Sequence, residues 1–120
     1  MSPVTTHVLD TSQGKPARGI PVVLELGTPA GDSARTERWT VLGSGVTDEN
    51  GRLTTLLPAD AVFAPGRYRL TFDTAAYFAD HNIEGFYPLV TVVFTVWNVT
   101  EHYHVPLLLS PFGYSTYRGS

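Results

Sequence analysis

Two histidines, His102 and His104, stand two residues apart in His-Tyr-His. Alternation across a strand puts both on one face with Pro106 and Leu108, and leaves Tyr103, Val105, Leu107 and Leu109 for the other. The second set is core. A third imidazole, His7, lies in the strand-like run Thr6-His7-Val8-Leu9-Asp10, and Arg52 directly follows the turn sequence Asp48-Glu49-Asn50-Gly51. An imidazole, whose unperturbed pKa is about 6.5, takes and returns protons near neutral pH, as general acid–base chemistry requires. Arg52 is a fixed cation whose planar donor fork suits carbonyl or carboxylate oxygens and developing negative charge. At the other end, Tyr117 offers an aromatic face for packing and a hydroxyl for hydrogen bonding. The Ser120 hydroxyl or the carboxylate beside it could orient a water or a histidine there. Arg118 could bind substrate or pair with that carboxylate, and Gly119 serves backbone geometry.

Each of these residues also has an ordinary reading. A strand histidine is more often a structural hydrogen-bonding group than a catalyst, an arginine after a turn is commonly a solvated charge, and chain ends usually fray. His102 is read as structural. A metal centre needs three or four ligands, and two histidines in a chain with no cysteine fall short, so no metal is expected.

Short strands should position these groups. Glycine and proline number 11 and 9 in 120 residues, a share above average usage and typical of many strands joined by turns. Val4 to Asp10 reads as a first strand ending in a loop through Pro16, and Ile20 to Leu26 as a second. Pro21 belongs at an edge or at a strand start, where a missing donor is tolerated. Gly27 to Arg35 reads as a polar, flexible loop, and Trp39 to Thr47 as a strand with a bulge near Gly43 and Gly45. Asn50-Gly51 predicts a type I′ hairpin turn with Arg52 opening the next strand. Arg67 to Phe72 alternates as a half-buried strand. Asp73 or Thr74 can cap one short helix through Asp80. Tyr87 to Trp97, His102 to Ser110 and Tyr114 to Tyr117 complete the strands, with Asn98-Val99-Thr100 read as a turn rather than a glycosylation site. The pattern predicts an all-β, two-sheet antiparallel sandwich of about eight strands and one short helix, as a single domain over residues 1–120.

A net charge of -3 with only eight lysines and arginines argues against a phosphate-binding surface, so nucleic acid is not expected as a partner. The opening residues carry no basic start and no apolar h-region, and no apolar run approaches the ~20 residues of a membrane span. A soluble, cytoplasmic protein is expected.

The stretch from His102 to Ser120, HYHVPLLLSPFGYSTYRGS, resembles the closing signature of the 5-hydroxyisourate hydrolases, the enzymatic branch of the transthyretin family. Thr6-His7-Val8-Leu9-Asp10, Thr47-Asp48-Glu49-Asn50-Gly51-Arg52 and Phe86-Tyr87-Pro88 resemble the same family in the same order, so the resemblance spans the chain. Thr28 to Arg38 looks longer than is usual there. The resemblance implies a transthyretin-like (prealbumin-like) sandwich in a homotetramer, a dimer of dimers around a central channel, with sites where dimers meet. It implies a catalytic set of His7, Arg52, His104 and Ser120, with His7, Arg52, Tyr117 and Arg118 on the substrate. The implied reaction opens the 5-hydroxyisourate ring without a cofactor. A non-catalytic carrier of a small aromatic ligand is the alternative, although carriers of that branch lack the two histidines, the arginine and the closing Tyr-Arg-Gly-Ser.

Overall fold

The computed structural model describes residues 2–30 and 33–120. Strand β1 (Val4–Asp10) is followed by the two-residue β2 (Lys15–Pro16), then by β3 (Pro21–Ala30), β4 (Ser33–Val46), the two-residue β5 (Arg52–Leu53) and β6 (Gly66–Phe72). Helix α1 (Thr74–Asp80) separates these from β7 (Val90–Val96), β8 (Tyr103–Ser110) and β9 (Gly113–Thr116). One sheet runs β2-β1-β8-β9, with β5 also paired to β1, and the other runs β4-β3-β6-β7. Their facing sides form the core, from Val4, Val8, Leu107 and Leu109 on the first to Val22, Leu24, Leu70, Phe72 and Val90 on the second. This is the sandwich that the strand spacing predicts.

Four details differ from the sequence reading. The first sheet is mixed, because β1 and β8 pair in parallel over seven residues, from Val4 with Tyr103 to Asp10 with Leu109. Parallel neighbours need a long crossover, and here the whole second sheet lies between them in the chain. Gly27 to Arg35 is no loop: Gly27 to Ala30 continue β3, Gly27 pairs with both Trp39 and Arg67, and β4 begins at Ser33. Pairing on both sides at Gly27, and with β4 alone at Pro29, overrides the weak strand preference of glycine and proline. The reading of Gly31 and Asp32 lies outside the described residues. Asp48 to Gly51 is no type I′ hairpin, since Gly51 alone in it has positive φ, at 73°. The chain there crosses between sheets, and Arg52 pairs with β1 rather than with β4. Finally, the Tyr87 to Trp97 strand is shorter, starting at Val90.

Other expectations hold. Pro21 opens β3 and accepts from the Asp73 N–H at 2.9 Å. The β4 bulge falls at Leu42, skipped between the Leu24–Gly43 and Glu25–Val41 pairs. Asp73 caps α1 by accepting from the Ala76 N–H, and the Asn98 carboxamide accepts from the Thr100 N–H and hydroxyl to close a turn. The helix is tied to the first sheet by the Tyr77 hydroxyl, which donates to the buried Asp10 carboxylate at 2.7 Å.

Candidate functional site

Strand alternation turns Thr6, Val8 and Asp10 of β1 into the core and leaves Thr5, His7 and Leu9 on the outer face. The neighbouring strands set what joins them. Arg52 lies opposite His7 on one side, and Pro106 of β8 lies opposite it on the other. One step along, Thr5 lies opposite His104, and His104 in turn faces Gly119 across a single bridge. Residues near positions 7, 52, 104 and 119 thus meet on one sheet face, brought there by the parallel pairing of the chain's two ends.

Backbone bonds fix these positions. The Gly51 carbonyl accepts from the Val8 N–H at 2.8 Å, which staples the turn to β1 beside His7. The Asp48 carboxylate accepts from the Arg52 N–H at 3.0 Å and from the Asn50 N–H at 2.9 Å. The Arg52 N–H holds the Asp48 carboxyl below the usual carboxylate value, helped by Asn50 and by the charges of Arg52 and His7. The Gly119 N–H donates to the His104 carbonyl at 2.8 Å, so the C-terminal segment is tied to β8 and not frayed. A side chain at Gly119 would collide with the imidazole, its Cβ falling 2.5 Å from His104 Cδ2.

His104 is half-buried, and its Nδ1 lies 2.8 Å from the Thr5 hydroxyl oxygen. That same oxygen lies 3.0 Å from His102 Nε2. With Nδ1 engaged, Nε2 is the ring atom left to meet a substrate or water. Burial, then the Arg52 cation and the ionisable His102 and His7, push the His104 pKa below its ordinary value, favouring the neutral ring that a general base needs.

The closing residues divide between two faces. Arg118 turns from His104: its guanidinium lies 4.6 Å from the Tyr103 ring centroid and 3.7 Å from the Glu101 carboxylate. Both partners come from β8 or the turn before it, and neither is the terminal carboxylate, one of the two partners that the sequence left open for Arg118. Arg118 and Tyr117 line a groove of about 390 Å³ with Val92, Phe94, Trp97 and Tyr103. None of His7, Arg52 and His104 lines it, and the outer face of the first sheet carries the better chemistry. Tyr117 is 57% exposed and Ser120 is exposed. Among the described residues no group of three or more metal-binding side chains occurs.

Two contributors were not singled out from sequence. Thr5, buried beneath two imidazoles, looks like any β-branched strand residue, and only its i, i+2 spacing from His7 signals a shared face. Asp48 was seen as a turn former, not as an anion beside Arg52.

Comparison with known proteins follows the same line. The profile of the HIUase/Transthyretin family matches residues 4–119. The 5-hydroxyisourate hydrolase of Salmonella dublin is 47% identical over 117 residues, covering 98% of this chain and 80% of that one. Among solved structures, the 5-hydroxyisourate hydrolase of Klebsiella pneumoniae is 36% identical with a TM-score of 0.76, covering 98% of each chain. Sea bream transthyretin in complex with thyroxine is 33% identical with a TM-score of 0.85, covering 98% of this chain and 94% of that one.

Proposed function

This chain belongs to the HIUase/Transthyretin family, and from that premise we propose that it is a hydrolase that opens the ring of 5-hydroxyisourate in urate degradation. The product is 2-oxo-4-hydroxy-4-carboxy-5-ureidoimidazoline. The single observation that carries this reading is the convergence of His7, Arg52 and His104 on one sheet face, with Gly119 of the closing segment seated against the His104 ring. The higher TM-score to a thyroxine-bound carrier favours a second reading, that of a small-molecule carrier. Both branches share the fold, so the fold does not separate them. The residues on the face do, because a carrier needs apolar contact and has no use for two imidazoles and a guanidinium.

In the proposed reaction, water attacks a ring carbonyl while His104, assisted by His7, removes its proton. Arg52 orients the flat substrate and stabilises the oxyanion that forms. Collapse of the intermediate breaks the ring carbon–nitrogen bond, and the departing nitrogen takes the proton back from histidine. Tyr117, which lines the groove beside Trp97, binds the substrate only by leaving that groove or from a second copy of the chain, and Ser120 supports the proton relay. Arg118, engaged with Glu101 and Tyr103, comes to the substrate only by leaving these partners. No cofactor enters these steps.

The site is an open sheet face within one chain, and a second copy is proposed to wall it in, giving a homotetramer built as a dimer of dimers. The exposed aromatic cluster of Phe86, Tyr87 and Tyr114, with Phe112 beside it in the chain, supports self-association. The whole chain, 1–120, acts as one domain in this reading. A composition without cysteine suits a reducing compartment and hence the cytoplasm. No helix among the described residues is long and apolar enough to cross a membrane.

Alanine variants test the assignment. Arg52→Ala and His104→Ala should each lower turnover of freshly generated 5-hydroxyisourate by about 100-fold or more while keeping the wild-type circular dichroism spectrum. Near-wild-type turnover in either contradicts it.

A further inference from the structure

The Thr5 hydroxyl has one hydrogen and two imidazole partners, His104 Nδ1 at 2.8 Å and His102 Nε2 at 3.0 Å. It can donate to one ring only, so it must accept an N–H from the other. The protonation of the two rings is therefore linked through a buried oxygen, although their centroids lie 6.4 Å apart. His104 is half-buried against the site, whereas His102 is exposed to solvent on the far side of Thr5.

We propose that Thr5 is a positioning residue which fixes the tautomer of His104 and links it to His102 as a reservoir for the proton removed from water. The proposal rests on the hydrolase reading above. At rest, His104 Nδ1–H donates to Thr5 Oγ1 and the Thr5 O–H donates to His102 Nε2, leaving His104 Nε2 bare as the base. When Nε2 takes a proton from the attacking water, the His104 Nδ1–H bond breaks as a new Thr5 O–H bond forms. The original Thr5 O–H bond breaks as His102 Nε2–H forms. His104 is then neutral again and carries its proton on Nε2, and the positive charge rests on His102. Reversal of the same shifts accompanies donation of the Nε2 proton to the departing ring nitrogen and restores the resting state.

The surroundings favour this division. His104 is faced by Arg52 of β5, His7 of β1 and His102 of its own strand, and burial adds to their effect in disfavouring a charge on it. His102 has water beside it and Glu101 next in sequence, although that carboxylate is shared with Arg118. Moving the charge outward by two hydrogen bonds takes it from the less to the more hydrated ring. A structural histidine pair would require neither the shared hydroxyl nor the difference in exposure.

The test compares Thr5→Val, which keeps the shape and removes the hydroxyl, with Thr5→Ser, which keeps the hydroxyl, and with His102→Ala. Thr5→Val should lower kcat by roughly 10- to 100-fold with KM little changed, because a wrong tautomer disables the base without removing a substrate contact. Thr5→Ser should recover most of that loss. His102→Ala should lose kcat at low buffer concentration and regain part of it on addition of imidazole, a rescue that a packing defect would not show. Wild-type kcat in Thr5→Val or in His102→Ala, or a Thr5→Ser variant as impaired as Thr5→Val, overturns the relay. Nitrogen-15 spectra of the ring nitrogens read the tautomer without substrate. The wild type should show His104 protonated on Nδ1 alone at neutral pH, and Thr5→Val a mixture of the two tautomers. The same single tautomer in both overturns the proposal, and because no turnover is needed this reading stands apart from failure of the hydrolase assignment.

Discussion

At His104 burial disfavours the charged ring most, and three positive or ionisable neighbours, Arg52, His102 and His7, act in the same direction. The ring is therefore neutral at pH values where a free imidazole is already partly charged. Its titration followed by NMR should lie below the ordinary value of about 6.5, and the acid limb of the kcat/KM profile should fall there too. Arg52→Ala removes one of the opposing charges, so the His104 midpoint should move upward, toward the free value; a midpoint unchanged or lowered contradicts the electrostatic account. Gly119 offers a geometric test of the same ring. A methyl group there must displace the imidazole or the chain end, so Gly119→Ala should lower kcat by about 100-fold, the scale of a small misplacement at a reacting centre, with thermal stability little changed. His7, Arg52, His104 and Gly119, which the fold brings to one face, were legible as members of short motifs in a fixed order, whereas the turning of Tyr117 and Arg118 into the groove beside Trp97 was not. Thr5 was not, since a threonine in a Val- and Thr-rich strand is what strand propensity alone would supply, and its second partner lies 97 residues away. Asp48 was hidden in the same way, as a turn former whose proximity to His7 depends on strand pairing.

The elements that carry these residues are held by a few specific devices. Gly51 takes φ 73° while packed against the Val8 carbonyl, a combination that a side chain would strain. Gly51→Ala should cost about 1–3 kcal/mol in denaturant unfolding and lower activity as well, because the same turn sets the Arg52 backbone. Helix α1 depends on the Tyr77–Asp10 bond across to the first sheet. Tyr77→Phe should destabilise the fold by about 1–3 kcal/mol, since a buried carboxylate loses a donor. Burial pushes the Asp10 carboxyl up, but donation from Ser12, Tyr77 and the Ser12 and Gln13 N–H groups outweighs it and leaves the pKa lowered from 3.8. A lowered carboxyl stabilises the folded state fully above its unfolded value, so this contribution is present above about pH 4 and is lost as pH falls through the folded value. Asp10→Asn should accordingly flatten that part of the acid limb of the stability curve. Alternation exposed β1, β6 and the core side of β8 in the sequence, and Asp73 marked the helix cap. The extension of β3 through Gly27 and Pro29 was not visible, because pairing across the sheet, with two neighbours at Gly27 and with β4 alone at Pro29, rather than local preference, makes those residues strand.

For the whole molecule, the parallel β1–β8 pair decides where the site lies, because it brings residue 7 and residue 104 to adjacent strands. Alternating patterns report which face is buried and are silent on strand direction, so a mixed sheet could not be told from an antiparallel one. Exposed rings at Phe86, Phe112 and Trp97 and the openness of the proposed catalytic face both favour assembly, and the protein should sediment at four chain masses; a monomer that retains full activity would refute the need for a second copy. The central claim is the catalytic one. Its most direct test follows the ultraviolet absorbance of 5-hydroxyisourate made in situ by urate oxidase, with and without this protein. The account predicts that wild-type protein speeds the decay in proportion to its concentration and that His104→Ala does not. Decay at the spontaneous rate in the presence of folded wild-type protein would contradict it.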